Sequence, residues 1–413
     1  MNTVRIANST SGPTFSALPP LSLYVHIPWC VRKCPYCDFN SHEVKAPFPE
    51  QEYVEALLAD LESSLPDVWG RKIVSVFIGG GTPSLFSAAS IDTLLAGIRA
   101  RVPVRPDAEI TLEANPGTFE REKFAGFYAA GVNRLSLGVQ SFDVRHLSAL
   151  GRIHDADEAC RAAESALMIF GNVNLDLMFG LPQQTLEDLE RDMAGALAFG
   201  VPHLSFYQLT LEPNTLFHRH PPPMPDDDLA ADMQALVAMR LASAGYRRYE
   251  ISAYAKGGRT SVHNLNYWRF GDYLGIGAGA HGKITFANRI VRDARHKNPR
   301  QYLQSMQQGD ARIERRDVSR DDLGFEFMLN ALRLSEGVPS AMFSERTGYP
   351  LAIVAAPLEE GVRRGLIESD PTRIAATELG RRFLNQTLQL FLRDESMREV
   401  APSMAMKLEG VHR

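Results

Sequence analysis

Cys30, Cys34 and Cys37 fall within eight residues, in the run Tyr24-Val-His-Ile-Pro-Trp-Cys30-Val-Arg-Lys-Cys34-Pro-Tyr-Cys37. Three thiolates on one short loop are soft ligands, and soft ligands select zinc, copper(I) or an iron–sulfur cluster. The odd number is informative. A structural zinc site closes with four ligands, so His26 or His42 would have to complete it. Three cysteines on a four-iron cluster leave one iron open to an outside ligand. Arg32 and Lys33, between the first two cysteines, favour thiolate by their positive charge. Disulfide pairing is the weaker reading, because a large chain with four cysteines and no secretion signal is expected in a reducing compartment. Cys160 lies in the helical pattern Asp155–Leu167 and reads as a small core residue.

Other residues able to do chemistry sit where short apolar runs end. Gly79-Gly80-Gly81-Thr82-Pro83 follows one run, Glu113 and Asn115 end the next, and Gln140 ends a third. Asp176 lies near the end of a fourth, and Arg152 lies on the connection beyond Gln140. The glycines serve either a tight turn or a close approach of bare backbone to a ligand. The run is not a phosphate-binding P-loop, since the Gly-Lys-Ser/Thr ending is absent.

The elements that must position these residues alternate. The apolar runs are Leu21–Ile27, Ile73–Ile78, Glu109–Ala114, Arg134–Val139, Asn172–Met178 and His203–Leu209. Helix-period stretches lie between them at Glu52–Leu65, Ala88–Arg99, Glu120–Ala130, Asp155–Phe170 and Leu186–Phe199. Alternating strands and helices predict parallel βαβ units in an α/β fold. Six units predict a partial (β/α)6 barrel, with ligands gathered at the C-terminal ends of the strands.

The 413 residues suit two or three domains. We expect a disordered leader at 1–20, a barrel with an extension at 21–300, and a C-terminal domain at 301–413. After the proline- and aspartate-rich Pro221–Asp228, a helix over Leu229–Ala244 and a strand over Arg248–Tyr254 extend the barrel. His263-Asn-Leu-Asn-Tyr-Trp268 and the glycine-rich Gly271–Gly282 follow. Leu323–Leu392 reads as helices with a short strand turn at Gly365–Ala375, a small winged-helix-like domain. Hydrophobic content of 45%, charged content of 23% and a net charge of −5 fit a globular protein, and that charge argues against broad nucleic-acid binding. No apolar stretch is long enough to span a membrane. A cytoplasmic location is expected, with loose membrane attachment left open.

Taken together, the chain resembles the radical S-adenosylmethionine (SAM) superfamily, whose signature is the Cys-x3-Cys-x-aromatic-Cys pattern. Within it, several segments resemble the oxygen-independent coproporphyrinogen III oxidase family. They are Tyr24–Cys30, Gly79–Pro83, Glu113-Ala-Asn-Pro116, Leu137-Gly-Val-Gln-Ser-Phe142, Leu150-Gly-Arg-Ile-His154 and Asn174-Leu-Asp-Leu-Met-Phe-Gly-Leu-Pro182. The resemblance runs from about residue 21 to 390. It implies a radical SAM partial barrel in which Cys30, Cys34 and Cys37 hold a 4Fe-4S cluster and SAM chelates the open iron. Gly80, Gly81 and Thr82 would meet the methionine amino end, and Arg152 the methionine carboxylate. Asp176 would accept from the ribose hydroxyls, with Glu113 and Gln140 adding polar contacts. Tyr36 would flank adenine, and Tyr24 would face the same pocket.

Two departures separate this chain from the oxidases. Those enzymes carry a fourth cysteine two positions after the third, where this chain has Phe39. His263-Asn264-x-x-Tyr267-Trp268 is similar to the signature of the family's heme-chaperone branch. The resemblance thus implies heme binding and heme transfer to an acceptor hemoprotein, such as a respiratory one. It assigns no catalytic residue, and oxidative decarboxylation of coproporphyrinogen III is the alternative. His263 would offer heme iron a nitrogen, with His26, His154 and His281 as rivals, and Tyr267 and Trp268 would cover a porphyrin face.

Overall fold

The computed structural model describes residues 12–44, 48–117 and 120–392. Residues 1–11 of the expected leader and 393–413 of the expected C-terminal domain lie outside the described residues. Residues 12–20 carry no regular strand or helix but are tied down: Thr14 N–H donates to Gly348 O at 3.1 Å, and Pro20 O accepts from Asp272 N–H at 2.9 Å.

Six strands form the barrel wall: β1 Leu21–Ile27, β2 Ile73–Gly80, β3 Val104–Ala114, β4 Arg134–Gln140, β5 Val173–Phe179 and β6 His203–Gln208. Each pairs in parallel with the next. Helices α1 Glu50–Val68, α2 Ala88–Arg101, α3 Glu120–Ala130, α4 Ala156–Ile169 and α5 Leu186–Ala198 make the crossovers. Their starts are locally encoded. Asp155 with Glu158, and Thr185 with Asp188, form reciprocal capping boxes that satisfy N–H groups left free at a helix start. The fold is thus the expected α/β partial barrel.

Side chains alternate across a strand, and here the alternation sorts core from site. Leu135, Leu137 and Val139 of β4, Val173, Leu175 and Leu177 of β5, and Leu204 and Phe206 of β6 all join the main hydrophobic core. The intervening residues, among them Arg134, Ser136, Asn174, Asp176, His203 and Ser205, face a cavity inside the barrel. An apolar outer face packs the helices, while a polar inner face is left for ligands.

The sheet continues past the barrel. The expected single strand at Arg248–Tyr254 is instead a hairpin of β7 Arg247–Arg248 and β8 Ala253–Ala255, the latter antiparallel to β6. Glu250 breaks the run between them by accepting the Ser252 N–H at 3.0 Å. At the other edge β9 Asp272–Ile276 pairs in parallel with β1. It leads into an antiparallel meander of β10 His281–Phe286, β11 Arg289–Arg295 and β12 Arg312–Asp317. The twelve strands run in the order β12-β11-β10-β9-β1-β2-β3-β4-β5-β6-β8-β7. This meander occupies the glycine-rich and charged stretch to which the sequence reading assigned no strand.

Helices α6 Asp227–Ser243, α7 Val262–Trp268, α8 Pro299–Gln307 and α9 Arg320–Ala331 complete the extension and begin the C-terminal region. A second core joins α7 and α9 to the short C-terminal helices. There the ribbon of Val338–Pro339 against Arg373–Ile374 supplies the only antiparallel strand pair outside the large sheet among the described residues. No described helix is long and apolar enough to cross a membrane.

Candidate functional site

The cysteine loop is held in shape by its own backbone. Trp29–Cys30 pairs with His42–Glu43, Val44 N–H returns to Cys30 O at 2.9 Å, and Cys37 N–H donates to Cys34 O at 3.2 Å. Asn40 anchors the loop, its Nδ2 donating to Ala278 O at 2.8 Å and Lys297 O at 2.9 Å. The three thiols are free and half-buried, and all line the mouth of the barrel cavity. Burial pushes the Cys30 thiol up and the Cys37 thiol up to about 12. Among the described residues no three His, Cys, Asp or Glu side chains are grouped to hold a single metal ion.

Beside the loop, the glycine run is sterically obligatory. A Cβ on Gly81 would stand 2.5 Å from Trp29 O, a backbone atom that cannot swing away. Gly80 has φ +116°, and a Cβ there would meet the His26 ring at 2.6 Å. Gly80 N–H donates to Glu113 Oε2 at 3.0 Å, and Asn115 Nδ2 donates to Thr82 Oγ1 at 2.9 Å. Glu113 is half-buried against the cavity. Desolvation, with the nearby Asp176 carboxylate adding, pushes its carboxyl up to about 8.

Arg152 reaches across the mouth. Its Nη2 donates to Asn115 Oδ1 at 2.6 Å and Gly138 O at 2.8 Å, while Nη1 lies 3.7 Å from Cys34 Sγ. A Cβ on Gly138 would fall 2.8 Å from Asn115 Oδ1, so that glycine makes room for the pair. Gln140 ends β4 at φ +69°, a left-handed conformation uncommon for a non-glycine residue. Asp176 sits deeper, its Oδ2 accepting from Ser136 Oγ at 2.7 Å and its Oδ1 from Asn174 Nδ2 at 2.8 Å. Burial raises its pKa.

The cavity lining brings together Cys30, Cys34, Cys37, Tyr36, Gly80, Gly81, Thr82, Glu113, Gln140, Arg152 and Asp176. Phe39, at the position where the oxidases carry a cysteine, lines it too. Tyr24 and His263 do not. Tyr24 lies behind Phe77, their rings stacked 6.2 Å apart, and its hydroxyl lies 2.9 Å from His26 Nδ1. His26 Nε2 contacts the Asn40 carbonyl at 2.9 Å.

His263 is 2% exposed on the first turn of α7, with Phe77, Tyr24 and Tyr267 rings around it. A chain of hydrogen bonds reaches its ring. Asn266 Nδ2 donates to Ser22 Oγ at 2.9 Å, Ser22 Oγ lies 2.7 Å from Ser75 Oγ, and Ser75 Oγ lies 3.0 Å from His263 Nδ1. This chain fixes the ring through Nδ1 and leaves Nε2 buried without a partner among the described residues. Burial lowers the ring's pKa to about 3, which keeps it neutral. Tyr267 and Trp268 are 5% exposed in the second core. Tyr267 packs on Tyr273 and Trp268 under the Arg333 guanidinium, so neither ring presents a face to the cavity.

The sequence reading missed the cavity's deep wall, where Arg134, Asn174, His203, Ser205 and Tyr207 line it. The available signal was the two-residue period. Counting back from Gln140 by twos reaches Gly138, Ser136 and Arg134, and counting back from Asp176 reaches Asn174.

Comparisons with known proteins agree with this geometry. The Radical SAM superfamily profile matches residues 24–194, and that of the HemN C-terminal domain matches residues 318–383. The chain is 50% identical over 377 residues to the Escherichia coli heme chaperone HemW, covering 91% of this chain and 99% of that protein. It is 49% identical over 385 residues to the Haemophilus influenzae heme chaperone HemW, covering 92% and 99%. Among solved structures, the radical SAM enzyme coproporphyrinogen III oxidase (HemN) from Escherichia coli superposes with a TM-score of 0.77 at 24% identity, over 91% of this chain and 90% of that one. That likeness establishes the fold.

Proposed function

The chain belongs to the radical SAM superfamily and, within it, to the family of the heme chaperone HemW, and from that membership we propose that it binds heme and transfers it to acceptor hemoproteins. The observation that carries this reading is the 50% identity spanning 99% of a heme chaperone. Phe39 in the cavity wall supports it against the oxidase alternative, since no fourth thiol stands there.

The same proposal gives the protein a 4Fe-4S cluster and SAM. The donor set fits both. Cys30, Cys34 and Cys37 are free thiols on one loop facing one cavity, as a polynuclear cluster needs. Bound there, the cluster would supply an open iron for the amino and carboxylate groups of SAM. Arg152 offers a guanidinium to that carboxylate, and Gly80, Gly81 and Thr82 leave close access for the amino end. Asp176, already accepting from Ser136 and Asn174, keeps acceptor capacity for ribose hydroxyls. Gln140 and Tyr36 line the remaining space. Tyr24 acts from behind, supporting Phe77 and His26.

His263 has a second reading, favoured by its surroundings. A heme ligand needs an exposed nitrogen lone pair, whereas here Nδ1 is engaged by Ser75 and Nε2 is buried away from the cavity. The geometry favours a positioning role in which His263 pins α7 beneath the cavity. The protein would work in the cytoplasm, with a respiratory hemoprotein as one kind of acceptor.

The test is anaerobic purification followed by heme titration, transfer to an apo-hemoprotein, and a coproporphyrinogen III assay with SAM and reductant. Bound heme that moves to the acceptor, with no protoporphyrinogen formed, is the expected outcome. Multiple turnovers to protoporphyrinogen would replace the chaperone reading with the oxidase one.

A further inference from the structure

The cavity floor holds a charge that the reading above does not use. Arg134 opens β4, and its side chain is only 3% exposed. Its Nε is buried without a hydrogen-bond partner. Among the described residues its one ion pair is Glu109, at 3.7 Å from Nε, beyond hydrogen-bonding distance. Glu109 is committed elsewhere. Its Oε1 accepts from His263 N–H at 3.1 Å and from Ser261 Oγ at 3.3 Å, and its Oε2 accepts from Val262 N–H at 3.1 Å. It thus caps the N-terminal end of α7 and leaves the guanidinium poorly matched.

Burying a guanidinium without close partners is costly, and this one lines the cavity. Thr111, directly opposite Arg134 in the β3–β4 register, also has a buried hydroxyl with no partner. Two polar groups on adjacent strands are therefore unsatisfied at one level of the barrel. The charged groups around them leave the floor receptive to an anion. Arg134's field reaches Asp176, His203 and His263. Burial keeps both histidines neutral and raises the Asp176 carboxyl, whose oxygens accept from Ser136 and Asn174 while Arg134 makes no hydrogen bond to it. Glu113, one layer nearer the mouth, holds its proton at neutral pH.

We propose that Arg134 is the floor of an anion subsite that takes a carboxylate arm of the tetrapyrrole cargo. The subsite lies below the proposed SAM position and is distinct from the carboxylate contact at Arg152. A guanidinium fork matches the two oxygens of a propionate. The identity of the cargo rests on the heme-chaperone reading, whereas the anion subsite itself does not. A free small carboxylate would satisfy the same chemistry.

The test compares heme with heme dimethyl ester, which has the same ring without carboxylates, in equal detergent. Both are titrated spectrophotometrically into cluster-loaded wild-type protein, Arg134→Gln and Arg134→Lys. The wild type is expected to bind heme at least tenfold more tightly than the ester. The ratio should fall below threefold in Arg134→Gln and to an intermediate value in Arg134→Lys. Equal binding of heme and ester by the wild type would overturn the proposal without any variant having to fold. A preference retained in Arg134→Gln would overturn it as well. If the wild type binds neither, the heme reading fails. Sodium propionate then decides the subsite by raising, or not raising, the thermal midpoint of wild type but not of Arg134→Gln.

Discussion

Replacing Glu113 by Gln should change how the protein's stability depends on pH. The Glu113 carboxyl is lifted from 4.5 to about 8, first by burial and then by Asp176. Between those values the folded protein holds a proton that the unfolded chain has released. Stability therefore falls as pH rises through this window, and the loss is complete above about pH 8. At about 1.36 kcal/mol per pH unit the full displacement corresponds to roughly 5 kcal/mol. Glu113 keeps some exposure toward the cavity, and water there should reduce the effect to about 2 kcal/mol. Glu113→Gln has nothing to ionise, so it should approach or exceed wild-type stability at pH 8.5 while giving no advantage at pH 5. The assay is denaturant unfolding of reduced, SAM-free protein from pH 5 to 9, fitted for apparent free energy. Wild-type and Glu113→Gln curves that stay parallel across this range would refute the argument. Asp176 is also raised and is coupled to Glu113, so Asp176→Asn is measured alongside to separate its share.

Other perturbations report on the mouth and the floor. Cys34→Ala should lose iron and sulfide after anaerobic reconstitution, whereas Cys160→Ala should retain both; metal analysis checks this. Arg152→Lys keeps the charge but loses the fork, so SAM affinity should drop about tenfold or more, at about 1.5–3 kcal/mol per charged hydrogen bond; SAM titration of the reduced cluster's paramagnetic resonance signal measures it. Gly81→Ala drives a Cβ into the Trp29 backbone and should impair cluster assembly through the adjoining Cys30, again read as iron content. His263→Ala should lower the unfolding midpoint while leaving the spectrum of bound heme in place. A lost axial-ligand signature would return His263 to the role of iron ligand.

Much of the mouth could be read directly in the chain, because its parts are local. Three cysteines in eight residues and three glycines after a strand declare themselves by spacing. The barrel strands were legible for a related reason: runs such as Leu21–Ile27 are buried along nearly their whole length. The meander was not. Arg289–Arg295 and Arg312–Asp317 are rich in charge, and the second is an exposed edge strand with little apolar signal. The join between Asp272–Ile276 and His281–Phe286 is also held by Asp272, fully buried and bound to Lys283 at 2.9 Å and Arg71 at 2.8 Å. No neighbouring residues announce that contact.

The floor was hidden by sequence distance. Glu109 meets the His263 N–H across 154 positions, and Asn266 meets Ser22 across 244, so no local pattern betrays their association. The motif His263–Trp268 stood out as residue types, yet its location under the barrel emerges only when β1, β2 and β3 are assembled beside α7. This placement gives the motif a physical task. The first N–H groups of α7 hold the Glu109 carboxylate 3.7 Å from Arg134, beyond hydrogen-bonding distance, and Asn264 contributes directly to the cavity wall. The side of α7 away from the cavity carries Tyr267 and Trp268 into the second core, against α9 and the C-terminal helices. The cavity floor and the second core thus meet on one short helix, Glu109 at its N-terminal end and the aromatic rings at the other.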